Sequence, residues 1–502
     1  MSKSAKENAA RKTFKVEEGL PYLWPHIAVG LAEHEFVGDA WSVKPDPRWL
    51  DTGATRKSRV AIIDNGLCRS HPNLPKQATT GRIDFSHDRA GSTYPWRDKG
   101  KNRVDENEKQ VASLIGRIED ETSRALIQKM VDDARALHVH EVKGVPDPCD
   151  RFSAHGTACA GLVAGRTLNG DPNANPWAIK YLGMDPFADI IPINTPYNYE
   201  YWPVTNGLIW ALRQGADVIL LPRGVYDLPD TTQLDAEYGT EDPDRHPRFT
   251  RLTNKDSHDY DRLAQDKEEF EQVLAIISRL IPVVVSAGND GTDELQYPAR
   301  LVKGTAPHLI VVGACTARGI KSTYSNGQRI ASHDGVTVFA PSDDQGEISQ
   351  SVMRYNERDW RGRQLTLDVH TEDTDDRINE YSPFGVLAID IPGTWGYSAL
   401  FDEDLEYNDE GQSADLQYTL QHSPGALYTM FGGTSAASSI VAGLLSTHQM
   451  RQNVPKTGQA MKDHLLATAH KPGVDLLDAH ESEYGPTKSK VVQGLIDAKK
   501  LI

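Results

Sequence analysis

Cysteine is scarce in this chain of 502 residues: it has four, Cys68, Cys149, Cys159 and Cys315. None forms a CxxC pair and none shows zinc-ligand spacing, which excludes a zinc ribbon or a dithiol redox motif. Long apolar runs are also missing. No stretch of about 18 apolar residues occurs, so no segment has the makings of a membrane-spanning helix. The opening residues, Met1-Ser2-Lys3-Ser4-Ala5-Lys6-Glu7-Asn8, are polar and lack the apolar core of a secretory leader. These shortages together set the expectation of a cytoplasmic protein with four free thiols, whose plainest role is as small core residues. Positive charge is in deficit, with 54 Lys and Arg against 71 Asp and Glu for a formal net charge of -17. That balance counts against nucleic acid, which needs a basic surface. It suits a protein that draws in basic peptides. There is no internal repeat and no long low-complexity tract.

Hydrophobic residues make up 38% of the chain, and the mean hydropathy is -0.51. This composition fits a globular protein with many polar loops, with room for one large α/β domain or two medium ones. Residues 21–58, with Pro21, Pro25, Pro45 and Pro47 among aromatics, read as an irregular lead-in. Buried strands are expected at Arg59–Asp64, Ala188–Asn194, Ala216–Leu221, Ile281–Ser286, Ile310–Gly313 and Val336–Phe339 from their Val/Ile content. Helical spacing of apolar residues recurs over Glu106–Leu137, as one long helix or two short ones, and again over Gly207–Gln214 and Glu269–Leu280. Strands alternating with helices indicate parallel βαβ units.

Three short segments carry chemistry. An apolar strand ends in Asp64 (Val60-Ala61-Ile62-Ile63-Asp64-Asn65-Gly66). His155 opens His155-Gly156-Thr157-Ala158-Cys159-Ala160-Gly161, and Ser435 lies in Gly433-Thr434-Ser435-Ala436-Ala437. Asp, then His, then Ser is one of three chain orders in which unrelated folds assemble the same triad. An Asp closing an apolar strand stands where sites form in parallel sheets. A Ser opening a small-residue helix has its own N–H free at the helix start. Each motif also has an ordinary reading: a turn Asp before Gly, a structural histidine, and a Ser that caps a helix. Their coincidence in order favours the catalytic one. A fourth segment, Val283-Val284-Val285-Ser286-Ala287-Gly288-Asn289-Asp290-Gly291, runs a strand into a Gly-flanked Asn.

With these segments the chain resembles the subtilisin-like serine proteases, the subtilases, over about residues 58–500. Gly215-Ala216-Asp217-Val218-Ile219, Tyr297-Pro298-Ala299, Val312-Gly313-Ala314, Tyr324-Ser325-Asn326 and Gly494-Leu495-Ile496-Asp497-Ala498 extend the likeness. Asp390-Ile391-Pro392-Gly393-Thr394-Trp395-Gly396-Tyr397 looks more like the kexin-related, calcium-dependent branches. The resemblance implies an α/β fold of three layers, α/β/α, with a mostly parallel central sheet. It implies a serine endopeptidase in which Ser435 attacks, His155 shuttles the proton, Asp64 orients it and Asn289 stabilises the oxyanion. It places Arg223, Gly224, Ala287, Gly288 and Asp290 along the substrate. Asp290, Asp293 and Glu294 lie where the family walls its first specificity pocket, which suggests a basic residue before the scissile bond.

The departures are informative. Asn65 stands where the family usually has Ser, Thr or Asp, Ser439 where it usually has Pro, and Pro222-Arg223-Gly224 where it usually has Ser-Leu-Gly. They predict altered subsite geometry with catalysis kept. Subtilases are usually made with an inhibitory propeptide, and only 63 residues precede Asp64. The expectation is a lead-in over 1–57 and a catalytic domain over 58–502 interrupted by insertions at about 86–150, 226–268 and 343–380. Those insertions are candidate docking sites for a regulatory partner, the plainer reading being packed helices and solvated acidic loops. No cofactor is required for the chemistry. Structural calcium would draw on Asn169, Asp171 and Asn173, a spacing too ordinary to name a metal site. The expected function is an intracellular serine endopeptidase, latent until a partner activates it, acting on protein or peptide substrates and on neither nucleic acid nor membrane. Its rival is a catalytically silent binding protein on the same fold.

Overall fold

The computed structural model describes residues 23–37, 40–50, 54, 56–68, 71–74, 81–85, 96–98, 107–136, 139–142, 153–166, 181–196, 200–227, 258–316, 319–327, 335–343, 386–391, 427–469, 471–472 and 492–501. The described part of the lead-in forms regular elements where an irregular stretch was expected. Helix α1 (Trp24–Val29) begins with Pro25 in its first turn and stops at Gly30, whose φ of 89° gives it a left-handed cap. A hairpin of β1 (Ala32–Val37) and β2 (Ala40–Pro45) follows, then the single turn α2 (Pro47–Leu50). Prolines in this stretch mark element edges, where a missing N–H costs nothing.

The domain is organised by β3 (Arg59–Asp64), β4 (Ile83–Asp84), β5 (Trp96–Asp98), β6 (His140–Val142), β7 (Asp189–Asn194), β8 (Val218–Leu221), β9 (Val283–Ser286), β10 (Ile310–Cys315) and β11 (Val338–Pro341). A separate antiparallel pair, β12 (Val386–Ile389) and β13 (Tyr428–Phe431), precedes the edge strands β14 (Lys471–Pro472) and β15 (Gln493–Leu495). The main sheet runs β14-β15-β11-β10-β9-β8-β3-β7-β4-β5-β6. Its central members, from β11 through β7, all pair in parallel. Only β14 with β15 and β4 with β5 are antiparallel.

Helices cover both faces, and the strands show why. Val60 and Ile62, Val218 and Leu220, Val284, Ile310 and Val312 belong to one core with α5 (Ser153–Ala164) and α8 (Gly433–Gln449). Ala61 and Ile63, Ile219 and Leu221, Val283, Val285 and Val311 belong to the other. That second core includes Val111, Ile127, Leu208 and Phe270 from α3 (Glu108–Gly116), α4 (Glu121–Ala136), α6 (Trp202–Arg213) and α7 (His258–Leu280). Side chains alternate across a strand, so an unbroken apolar run is what a sheet buried on both faces requires. Each fully buried Val or Ile there contributes about 1.5–3 kcal/mol relative to exposure. The three-layer α/β/α architecture with a mostly parallel sheet is as the sequence predicts.

Of the two arrangements expected over Glu106–Leu137, the structure has two short helices, α3 and α4, and their apolar positions Val111, Ile115, Ile127, Met130 and Val131 are buried in the second core. What they turn outward is charged, as in the Lys129–Asp133 and Arg135–Glu108 pairs. Helix α7 begins at His258 rather than Glu269, because Leu263 and Phe270 continue its buried stripe through an otherwise charged stretch. Cys68 is disulfide-bonded, which corrects the expectation of four free thiols, whereas Cys159 and Cys315 are free and buried. No helix among the described residues is long and apolar enough to cross a membrane. The acidic insertion over 228–257, the segments 344–385 and 392–426, and Asn169, Asp171 and Asn173 lie outside the described residues. So do most of the residues that look kexin-like.

Candidate active site

The site lies at the C-terminal ends of β3, β8 and β9, where the start of α8 meets them. Asp64 closes β3 and is almost fully buried. Its backbone carbonyl accepts from Thr195 N at 2.8 Å, tying it to the end of β7. Its carboxylate accepts from Asn65 N at 2.7 Å through Oδ1 and meets His155 Nδ1 at 2.7 Å through Oδ2. An ionised carboxylate can only accept, so Nδ1 carries the ring proton and Nε2 presents a lone pair.

His155 stands in the first turn of α5, and Gly156 allows that helix to come this close. A Cβ on Gly156 would lie 2.0 Å from the Gly66 carbonyl oxygen and 3.2 Å from Asp64 Cβ. Thr157 adds a second tie, its Oγ1 accepting from Cys68 N at 2.9 Å. The imidazole is also held edge-on by Phe431, with ring centroids 5.6 Å apart. One turn along α5, Cys159 brings its sulfur within 4.8 Å of ligand atoms of both Asp64 and His155. Burial, then the charge of Asp64, pushes this thiol well above its ordinary range. In the free protein it is therefore a protonated core group.

Helix α8 is buried along its whole length, which its small residues permit. A Cβ on Gly443 would already stand 2.6 Å from Met184 Cβ. The beginning of α8 sorts out its unsatisfied donors, since the first four N–H groups of a helix have no intrahelical partner. Gly433 N donates to Tyr324 Oη at 3.0 Å and Asp343 Oδ1 at 3.2 Å. Thr434 N donates to Asn289 Oδ1 at 2.9 Å, and Ala436 N to Gly432 O at 3.2 Å. Among the described residues Ser435 N–H has no acceptor. It is the one donor of the turn left available, beside the Asn289 side chain. Asn289 accepts through Oδ1 from both the N–H and the hydroxyl of Thr434, so its Nδ2 end is the donor that remains. Gly433, at φ 73°, has the left-handed backbone this turn needs, and a Cβ there would sit 3.1 Å from Asn289 Nδ2.

The Ser435 hydroxyl donates to the Pro222 carbonyl at 2.7 Å. The Ser435 carbonyl accepts from Ser438 Oγ at 3.0 Å and from Ser439 Oγ at 2.8 Å. Ser439, the departure from proline, therefore bonds back to the turn of Ser435.

The five residues expected along the substrate differ in placement. Arg223 is buried and sends Nη2 to Thr195 Oγ1 at 2.6 Å and Pro196 O at 3.1 Å, across the end of β3 toward β7. Gly224 faces the amide end of the Gln296 side chain, and Gly288 faces Asn326 Nδ2 and the base of the same Gln296 side chain. A Cβ on Gly224 would be 2.1 Å from Gln296 Nε2, and one on Gly288 2.6 Å from Gln296 Cβ. Ala287 is buried and takes Gln296 N on its carbonyl at 2.8 Å. Asp290 is exposed, and its carboxylate accepts from Asn326 Nδ2 at 2.8 Å. Gln296 and Asp343 carry no sequence signal of their own; the first precedes Tyr297-Pro298 and the second stands at the edge of an insertion. Tyr324 opens the quoted Tyr324-Ser325-Asn326, which gives it no role.

Comparison with known proteins gives a consistent family. A profile of the subtilase family matches residues 55–490. No curated protein matches the chain. Among solved structures it is similar to a protease from Pseudoalteromonas arctica, at 16% identity and TM-score 0.44, covering 91% of this chain and 92% of that one. It is also similar to the epidermin leader peptide processing serine protease of Staphylococcus aureus, at 15% identity and TM-score 0.44, covering 100% and 88%. The nisin leader peptidase of Lactococcus lactis is similar at 14% identity and TM-score 0.43, covering 89% and 87%.

Proposed function

The chain belongs to the subtilase family of serine proteases, and we propose that it cleaves peptide bonds with Asp64, His155, Ser435 and Asn289 as its working residues. The observation that carries this assignment is the 2.7 Å contact between Asp64 Oδ2 and His155 Nδ1, together with the one uncapped N–H at Ser435. His155 Nε2 takes the Ser435 proton as Oγ attacks the scissile carbonyl, then returns it to the leaving amine. Ser435 N–H and Asn289 Nδ2 receive the charge that develops on the carbonyl oxygen. In the resting enzyme the hydroxyl is held by Pro222 O. An extended substrate pairing with residues 222–224 takes that carbonyl with its own N–H and releases the hydroxyl toward His155.

The substrate is a protein or peptide chain. A regulatory partner docking on the inserted helices would use the charged outer faces of α3 and α4, because their apolar faces are already covered. The disulfide at Cys68 favours an oxidising compartment over the cytoplasm. Alkylation of the protein isolated without reductant tests this: two reactive cysteines after unfolding fit an oxidising compartment, and four fit the cytoplasm.

Active-site labelling with a fluorophosphonate probe tests the catalytic assignment, on the full chain and on Ser435→Ala in parallel. Labelling of the unsubstituted protein alone is expected. Labelling of neither would favour the silent, binding-only reading.

A further inference from the structure

Two side chains behind the nucleophile turn are unused by the mechanism. Tyr324 Oη donates to Asp343 Oδ1 at 2.7 Å, and Gly433 N donates to both oxygens. Ser342 Oγ donates to the Gly433 carbonyl at 2.8 Å, so both peptide units flanking Gly433 are gripped from one side. Asp343 and Ser342 are buried. Gly432 makes room for the grip, since a Cβ there would lie 2.1–2.2 Å from the Asp343 carboxyl atoms. The contacts continue past Gly433. Thr434 N and Oγ1 bond Asn289 Oδ1, and Gly288 N donates to Thr434 Oγ1 at 3.2 Å. Hydrogen bonds thus tie Gly433 to Tyr324 and Asp343, and tie Thr434, its covalent neighbour, to Asn289.

We propose that Tyr324 and Asp343 are positioning residues that clamp the turn before the nucleophile and so hold the two oxyanion donors, Ser435 N–H and Asn289 Nδ2, at their working separation. This rests on the protease reading above. The physical case is that the first helical N–H groups are mobile unless capped, and that an oxyanion hole works because its donors are fixed before charge develops. An acidic acceptor also suits the positive end of the α8 dipole. Burial, then the charge of Asp343, pushes the Tyr324 phenol well above its ordinary range. The phenol therefore stays a donor to Asp343 at any working pH. The clamp acts through geometry: Asp343 Oδ1 is needed as an acceptor of two bonds, a job an amide oxygen can also do.

The test compares Tyr324→Phe, Asp343→Ala and Asp343→Asn with the unsubstituted enzyme. It measures fluorophosphonate labelling rates, and kcat and KM on a peptide substrate. Ile277→Val, in the far core on α7, serves as a control for lost stability. Loss of a single oxyanion donor lowers turnover by about 10²–10³-fold, and loosening both is expected to lower kcat and the labelling rate about 10- to 100-fold in Tyr324→Phe and Asp343→Ala. KM should change less than about threefold, and Asp343→Asn should recover most of the loss seen in Asp343→Ala. The control, at a matched melting temperature, should keep its kcat. Unchanged kcat in Tyr324→Phe overturns the proposal, as does an Asp343→Asn enzyme as slow as Asp343→Ala. Should Asp343→Ala fail to fold, Tyr324→Phe decides by itself. If the unsubstituted enzyme does not label, the protease reading itself is wrong and the clamp falls with it; labelling of that enzyme with equal rates in the variants refutes the clamp alone.

Discussion

Replacing Gly156 by Ala should separate the proposed base, His155, from the Asp64 that orients it while leaving both in the chain. The added Cβ would lie 2.0 Å from Gly66 O, a distance real Cβ atoms do not show, and must retreat to at least 3.0 Å. Neither side yields easily. Gly66 lies two residues past Asp64, the last residue of β3, and α5 is packed against the sheet along its buried length. The start of α5 therefore moves by about 1 Å, carrying His155 from a carboxylate that it now meets at 2.7 Å. A misplacement of that size costs about 10²-fold in rate, and the overpacked contact about 1–3 kcal/mol of stability. The assay is kcat and KM on a peptide substrate, with a thermal melt on the same preparation. The expected outcome is a kcat lower by about 10²-fold with KM little changed, and a lower melting temperature. A Gly156→Ala enzyme of ordinary kcat would show that α5 adapts elsewhere, and that the close approach of α5 to β3 does not set the Asp64–His155 geometry.

Other outcomes follow from the same contacts. Asn289→Ala should lower kcat by about 10²–10³-fold, a magnitude known from subtilisin itself, with KM nearly unchanged; a small effect would remove Asn289 from the oxyanion site. Gln296→Ala should empty the space beside Gly224, and a panel of peptides should then be cleaved better after large side chains; an unchanged preference would show that this space is not a substrate pocket. Asp185 is fully buried, and burial pushes its carboxyl up to about 6 from 3.8. The folded chain thus holds a proton that the unfolded chain has lost, and stability falls as pH rises from about 4 to about 6, then levels off. Asp185→Asn should remove that slope and add on the order of 3 kcal/mol above pH 6. The amide can still accept from Phe187 N, and Ser446 Oγ can reverse to accept from it. Melting temperatures across pH would refute this if the variant kept the same slope.

The proposed working residues were legible as candidates because each sits in a short segment with its own local reason. Asp64 ends an apolar run, Gly156 follows His155, and glycines precede Ser435 and Asn289. The buried strands were legible because a sheet covered on both faces leaves no position for a polar residue. Helix α7 was only half legible, since its first turns carry many charges around Leu263 and Phe270. The hairpin at 32–45 was hidden among prolines and aromatics, and the disulfide at Cys68 because spacing alone does not announce one.

By itself, then, the order of residues determined a parallel α/β sheet with Asp, His and Ser motifs in one chain order, and those features are local. Tertiary structure decided what fills the site and what braces it. Gln296 occupies the room beside Gly224, Arg223 turns to Thr195, and the Ser435 hydroxyl rests on Pro222. Tyr324 and Asp343 lie 19 residues apart, and they meet Gly433 from 109 and 90 residues away. No periodicity spans such distances. A hydrogen bond needs its partners within about 3 Å, and only the packing of α8 against β10 and β11 brings these groups that close.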